Sequence, residues 1–154
     1  MKMRIPRRYT KEGQSPYFAI AFRKATSEIR NPDGSVVFKL DGIDVPEHFS
    51  QVATDVLAQK YFRKAGVPKA LKRFEEETVP SFLWRSVADD KVLANFPEKE
   101  RFGGETQATQ VFDRLAGTWT YWGWKGGYFD SEADASAFFD ELRYMLAMQM
   151  AAPN

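Results

Sequence analysis

Histidine is the side chain most ready to exchange a proton near neutral pH, and this chain of 154 residues carries one, His48. There is no cysteine, which removes disulfides, thiolate metal sites and thiol nucleophiles in one step. A metal centre needs several Cys, His or carboxylate ligands at fixed spacing, and a single histidine at a loop-to-helix entry does not supply them. No G-x-S-x-G elbow offers a serine nucleophile for His48 to activate. Gly103-Gly104 and Gly126-Gly127 lack the Gly-Lys-Ser/Thr continuation of a phosphate loop and read as helix punctuation. The run Glu75-Glu76-Glu77 reads as a solvated face, and no acid-base pair stands out among 21 carboxylates. No catalytic, cofactor-binding or metal-binding residue is therefore expected in this chain.

Two features remain that could bind rather than catalyse. Gly117–Phe129, "GTWTYWGWKGGYF", holds three tryptophans, two tyrosines and a phenylalanine among four glycines. Exposed, Trp119, Tyr121, Trp122 and Trp124 would offer stacking faces to single-stranded nucleic acid, with Arg114 and Lys125 for phosphate. Inside a helix, however, Trp119 and Trp122 share the face of Val111 and Leu115 and point to the core, leaving Tyr121 and Trp124 over. Gly117 and Gly123 each cost a helix roughly 1 kcal/mol relative to alanine, which close packing against another element would offset. These six residues, Gly117, Trp119, Tyr121, Trp122, Gly123 and Trp124, are the candidate domain interface.

The second feature is charge asymmetry. The chain has a net charge of +1, yet its first 24 residues carry seven Lys or Arg against Glu12 alone, so the remainder is net −5. A basic arm on an acidic body can grip phosphates, stay solvated, or dock on an acidic surface of the same protein.

The elements that must position these residues follow from periodicity. Residues 1–16 form an irregular basic arm, and residues 17–154 form one domain. Asn31-Pro32-Asp33-Gly34 is a turn sequence and predicts a β-hairpin with arms Thr26–Arg30 and Ser35–Leu40, with Tyr17–Phe22 as a third strand. Val52, Ala53, Val56, Leu57 and Tyr61 recur at helical spacing and predict a helix over Ser50–Lys64. The middle, Pro68–Gly104, is broken by prolines into brief helical turns and loops. Thr106 as N-cap opens a helix over Gln107–Trp124, and Ser131 with Asp134 caps another over Glu132–Met150. The expected class is α+β, mainly helical: a hairpin followed by about three main helices. No run of about 18 apolar residues and no signal peptide is present, which fits a cytosolic protein with no membrane partner.

Four stretches carry a resemblance: Tyr9–Tyr17 (YTKEGQSPY), Lys24–Phe38 (KATSEIRNPDGSVVF), Gln51–Pro68 (QVATDVLAQKYFRKAGVP) and Glu100–Phe129, which ends in the aromatic run. They resemble the amino-terminal region of bacterial class II ribonucleotide reductases, the adenosylcobalamin-dependent (vitamin B12-dependent) enzymes. Glu105-Thr106 followed by Phe112, Arg114, Leu115 and Ala116 is similar to a helix pattern that precedes the catalytic barrel in large reductase chains. The segment ELRYMLAMQMAAPN is similar to the helix that leads into the barrel.

The resemblance implies reduction of a ribonucleotide at its 2′-carbon, supplying DNA precursors. In the family, homolysis of a cobalt–carbon bond yields a cysteine thiyl radical, and a cysteine pair supplies the electrons. Without cysteine this chain cannot run that reaction, so the barrel is expected after residue 154, with the nucleotide contacts and most of the adenosylcobalamin contacts. The implied partners are the barrel of the same chain and, through it, the ribonucleotide; nucleic acid is a remote alternative, and a homo-oligomer is compatible.

Overall fold

The computed structural model describes residues 1–153. Strand β1, Phe22–Arg30, pairs antiparallel with β2, Val36–Pro46. The turn forms at Asn31–Gly34 as its residues require: Gly34 takes a positive φ of 86° and its N–H donates to Asn31 O at 2.9 Å. The hairpin is longer at its base than the sequence predicts, because Ile43 and Val45 alternate inward with Asp44 between them and are fully buried. Its tip stands clear of the core, with Ile29, Val36 and Val37 exposed.

Tyr17–Phe22 is not a third strand. The chain turns there, with Phe18 N–H donating to Ser15 O and Ile20 N–H to Tyr17 O, and only Phe22 joins β1. Local i to i−3 bonds have replaced a ladder.

Helix α1 spans Gln51–Val56, with Ser50 accepting from Ala53 N–H as its N-cap, and continues as a π-helical turn over Leu57–Tyr61. It ends before the expected Lys64 because Phe62 turns extended (ψ 130°) and is buried. Its inner face is Thr54, Leu57 and Ala58, while Val52 and Val56 face outward, 72% and 47% exposed. The hairpin is tied to it by polar bonds: buried Ser27 donates to Asp55 at 2.7 Å, and Gln59 donates to Ser27.

The middle of the chain has more pairing than its prolines suggest. Strand β3, Val67–Pro68, pairs with β6, Phe102–Gly103, and β4, Leu71–Arg73, pairs with β5, Ser86–Ala88, all antiparallel. Short helical turns lie between them at Ser81–Leu83, Asp90–Leu93 (α2) and Glu98–Glu100. Gly103 is thus a strand residue, not helix punctuation. Gly104 lies where a side chain would meet the carbonyl oxygens of Arg63 and Lys64 at 3.0 Å.

Two long helices complete the domain. Helix α3, Ala108–Lys125, follows Gln107 as its N-cap, and Gln110 Oε1 accepts from the N–H groups of Thr106 at 2.9 Å and Gln107 at 3.0 Å. Thr106, expected as the cap, instead gives its carbonyl to Asp44 N–H of the hairpin. Gly126-Gly127 ends α3 as expected, Gly127 having a φ of 69°. Helix α4, Glu132–Ala147, starts at Ser131, whose side chain accepts from Asp134 N–H. It stops before the expected Met150, because Met148 leaves helical geometry and Gln149 adopts a φ of 56°. The core joins Ile43 and Val45 of the hairpin, Leu57 and Phe62, Val111, Phe112 and Ala116 of α3, and Leu146 of α4. The architecture is α+β, with the hairpin first and the helices after it. Among the described residues no helix is long and apolar enough to cross a membrane.

Candidate functional site

The six expected interface residues lie on α3, where their surroundings differ. Trp119 packs at the edge of the core. Trp122, expected inward, is 63% exposed. The buried stripe of α3 moves along the helix to Ala116, Thr120 and Gly123, small residues three to four apart, and this turns Trp122 out to solvent.

Tyr121 and Trp124, expected to be left over, are held by the middle of the same chain. Tyr121 Oη bonds Glu76 Oε2 at 2.9 Å, Lys125 Nζ bonds Glu76 Oε1 at 3.0 Å, and Trp124 Nε1 donates to Thr78 O at 2.9 Å. Glu75 and Glu77 are exposed, but Glu76 is not part of a solvated face: it anchors the loop on α3. Bonds from Lys125 and Tyr121 hold its carboxyl below the usual range. The same contacts raise the Lys125 ammonium and the Tyr121 phenol above theirs.

Gly123 is a close-approach position. A Cβ there would sit 2.8 Å from Cε2 of Phe129, which is itself 4% exposed and rests on Phe138 at 5.4 Å between centroids. Gly117 is looser, since its Cβ would meet Phe139 at an ordinary 3.6 Å. The two glycines should therefore respond with opposite signs. Gly117→Ala is expected to gain up to about 1 kcal/mol from helix propensity. In Gly123→Ala the same gain is outweighed by overpacking of about 1–3 kcal/mol. Urea unfolding of the two variants checks this, and equal shifts would refute it.

Two buried acidic centres escaped the sequence reading. At the start of α3, Glu105, 5% exposed, takes a bidentate grip from Arg114, with Nε at 2.9 Å and Nη2 at 3.0 Å, and accepts the Arg63 N–H at 2.9 Å. Arg114 also donates to Tyr61 O at 2.9 Å. The Glu105…Arg114 spacing was visible as a pattern; its meaning is an ion pair that ties α3 to the chain after α1.

On α4, Asp140 and Glu141 are the acidic surface on which the basic arm docks. Arg7 bonds Asp140 at 2.6 Å, and Glu141 Oε1 accepts from the backbone of Arg8, Tyr9 and Thr10 at 2.9–3.1 Å and from Thr10 Oγ1 at 2.7 Å. Nearer the start, Ile5 N–H bonds Asp134 at 2.7 Å, so the arm runs along α4 in the same direction. Tyr9 stacks on Tyr144 at 5.1 Å. Burial opposes ionisation of Glu141, but the Thr10, Tyr9 and Arg8 donors outweigh it and keep its pKa below normal. Arg143 bridges Asp140 at 2.6 Å and Asp113 at 3.2 Å while stacking on Phe139; its Nε has no partner among the described residues. Asp113 also accepts from Tyr17 Oη at 2.7 Å, and burial together with that carboxylate pushes the Tyr17 phenol well up.

None of this assembles a nucleophile with a base. His48 is exposed with its ring edge on Phe49, and the described residues include no cluster of three or more metal-ligating side chains.

The fold and its contacts thus define a small α+β domain whose buried charges brace its own elements. The family model for class II vitamin B12-dependent ribonucleotide reductase matches residues 23–149. The vitamin B12-dependent ribonucleotide reductase of Agrobacterium fabrum is 74% identical over 152 residues, which cover 99% of this chain and 12% of that protein. The Bradyrhizobium diazoefficiens enzyme is 72% identical over the same shares, and that of Streptomyces coelicolor is 29% identical over 154 residues. The chain belongs to the class II vitamin B12-dependent ribonucleotide reductase family. It spans about 12% of the length of the curated relatives it matches, as their amino-terminal part.

Proposed function

We propose that the chain is the non-catalytic amino-terminal domain of an adenosylcobalamin-dependent ribonucleotide reductase, an oxidoreductase that makes deoxyribonucleotides, and that it packs on and supports the catalytic barrel. The observation that carries this is the combination of a match to a reductase relative over 99% of the chain but only 12% of that relative's length with the absence of cysteine. Thiyl chemistry then has to reside elsewhere in the protein, along with the ribonucleotide and the cofactor. Residues 1–16 are the arm and residues 17–154 the supporting domain, working in the cytoplasm.

Of the six interface candidates, Trp122 is the one free to meet the barrel. With Tyr128, 61% exposed, it places two large rings in solvent near the end of α3, and buried tryptophans dominate interface energetics. The alternative, stacking on single-stranded nucleic acid, loses support because Arg114 and Lys125, the cations it needs, are each paired with a carboxylate.

Mixing this chain with the separately produced remainder of the reductase tests the reading. Association is expected, and Trp122→Ser should weaken it by about 2 kcal/mol or roughly 30-fold. The same change should shift the chain's own unfolding by no more than about 0.5 kcal/mol, as exposed substitutions do. Absence of association, or indifference to Trp122→Ser, would count against it.

A further inference from the structure

A groove of about 740 Å³ runs between α3 and the β4–β5 ribbon, a volume in the range of small-molecule sites. Tyr121, Phe139, Phe82 and Trp84 supply its aromatic lining, with Phe82 stacked on Phe139 at 6.2 Å between centroids. Five arginines and two carboxylates line it.

Both carboxylates are already taken. Glu105 is saturated by Arg114 and the Arg63 N–H, and Asp113 accepts from Tyr17 and Arg143. Arg114 and Arg143 are neutralised in the same bonds. Arg63, Arg73 and Arg85 are left without an ion pair among the described residues. Arg73 gives one N–H to Ser81 O at 2.9 Å, and Arg85 lies over the Phe74 ring at 4.6 Å. Arg85 also feels the charge of Glu76, whose own bonds go to Lys125 and Tyr121.

The groove is thus lined by three arginines that have no ion pair among the described residues, on a stretch, residues 25–154, whose net charge is −5. Like charges on one open cleft repel each other and focus a positive potential there. Guanidinium forks match phosphate oxygens in pairs. One carboxylate would leave two of the three cations unanswered. We propose that this groove binds a small ligand bearing two or more phosphate groups. The site is independent of the barrel contact at Trp122.

Phenylglyoxal footprinting of the full-length reductase, with inorganic tripolyphosphate as the probe, tests this directly. Without the probe Arg63, Arg73 and Arg85 should react; with it their modification should slow about fivefold or more, while exposed Arg4 and Arg30 change little. Equal slowing at every arginine means ionic screening only and overturns the proposal, as does no slowing at all. Unreactive groove arginines before any probe is added would mean that another part of the protein fills the groove, and would overturn it too. Calorimetry supplies a second reading: Arg73→Gln with Arg85→Gln should weaken tripolyphosphate binding by about tenfold or more. Arg73 ends β4 and Arg85 precedes β5, both exposed, and Arg63→Gln provides the same test from outside the ribbon. Unchanged affinity in all of these variants would refute the site.

Discussion

Arg114→Ala is expected to lower the folding stability of the chain by about 3–5 kcal/mol, the cost of leaving a buried carboxylate without its partner. Glu105 is 5% exposed and would keep only the Arg63 N–H. Tyr61 O would lose its donor in the same step. Glu105→Ala strands the guanidinium instead, but Arg114 is partly solvated, its side chain being 25% exposed, so the loss should be smaller. Replacing both by leucine removes the charge problem yet leaves the Arg63 N–H and Tyr61 O unanswered, at about 1–3 kcal/mol each. Urea denaturation of the single and double variants gives the coupling energy. Strict additivity would show that the pair contributes nothing as a pair.

Glu141→Ala should release the basic arm, with a loss of about 2–3 kcal/mol for hydrogen bonds to a charged acceptor. Hydrogen exchange at the amides of Arg8, Tyr9 and Thr10 should accelerate, while that at Ile43 and Val45 lags behind. Acid should do the same to the unaltered chain. The folded carboxyl lies below its ordinary value of 4.5. Its contribution is therefore complete above that value and disappears as the pH falls through the lower, folded pKa. Asp134 is depressed in the same direction by Ser131 and by the Ile5 N–H, so both ends of the arm should loosen in one acidic window. An arm whose amide exchange, corrected for the intrinsic pH dependence, is unchanged by acid or by Glu141→Gln would show that the carboxylate is not what holds it.

Much of the fold was legible because its signals are local. The Asn31–Gly34 turn, the Ser131 cap and the Gly126-Gly127 stop each lie within a few residues of the bonds they make. The family resemblance was legible in continuous motifs. What escaped depends on partners far along the chain. Trp122 shares a helical face with Val111 and Leu115, but the packing of Gly123 on Phe129 moves the buried stripe of α3 and turns the tryptophan outward. Glu76 looks like its neighbours Glu75 and Glu77 until Lys125 and Tyr121 are brought to it. Asp140 and Glu141 sit in a helix where charge normally means solvent, and only the arm, some 130 residues earlier, makes them buried. The short β3–β6 and β4–β5 pairs have too few residues to show alternation, so no periodicity announced them.

The π-helical turn at Leu57–Tyr61 is one residue wider than an α-helical turn, and deletion or insertion there is a change of angle as well as length. Each residue of an α-helix advances about 100° around the axis. Removing one residue from the turn would restore regular winding but swing Tyr61 O away from Arg114 Nη2, now 2.9 Å distant. It would also carry the Tyr61 hydroxyl off Pro153 O, which it meets at 2.6 Å. A single amino acid of helical slack thus acts as an indexing notch, setting the rotational phase in which α1 hands the chain to both α3 and the segment after α4.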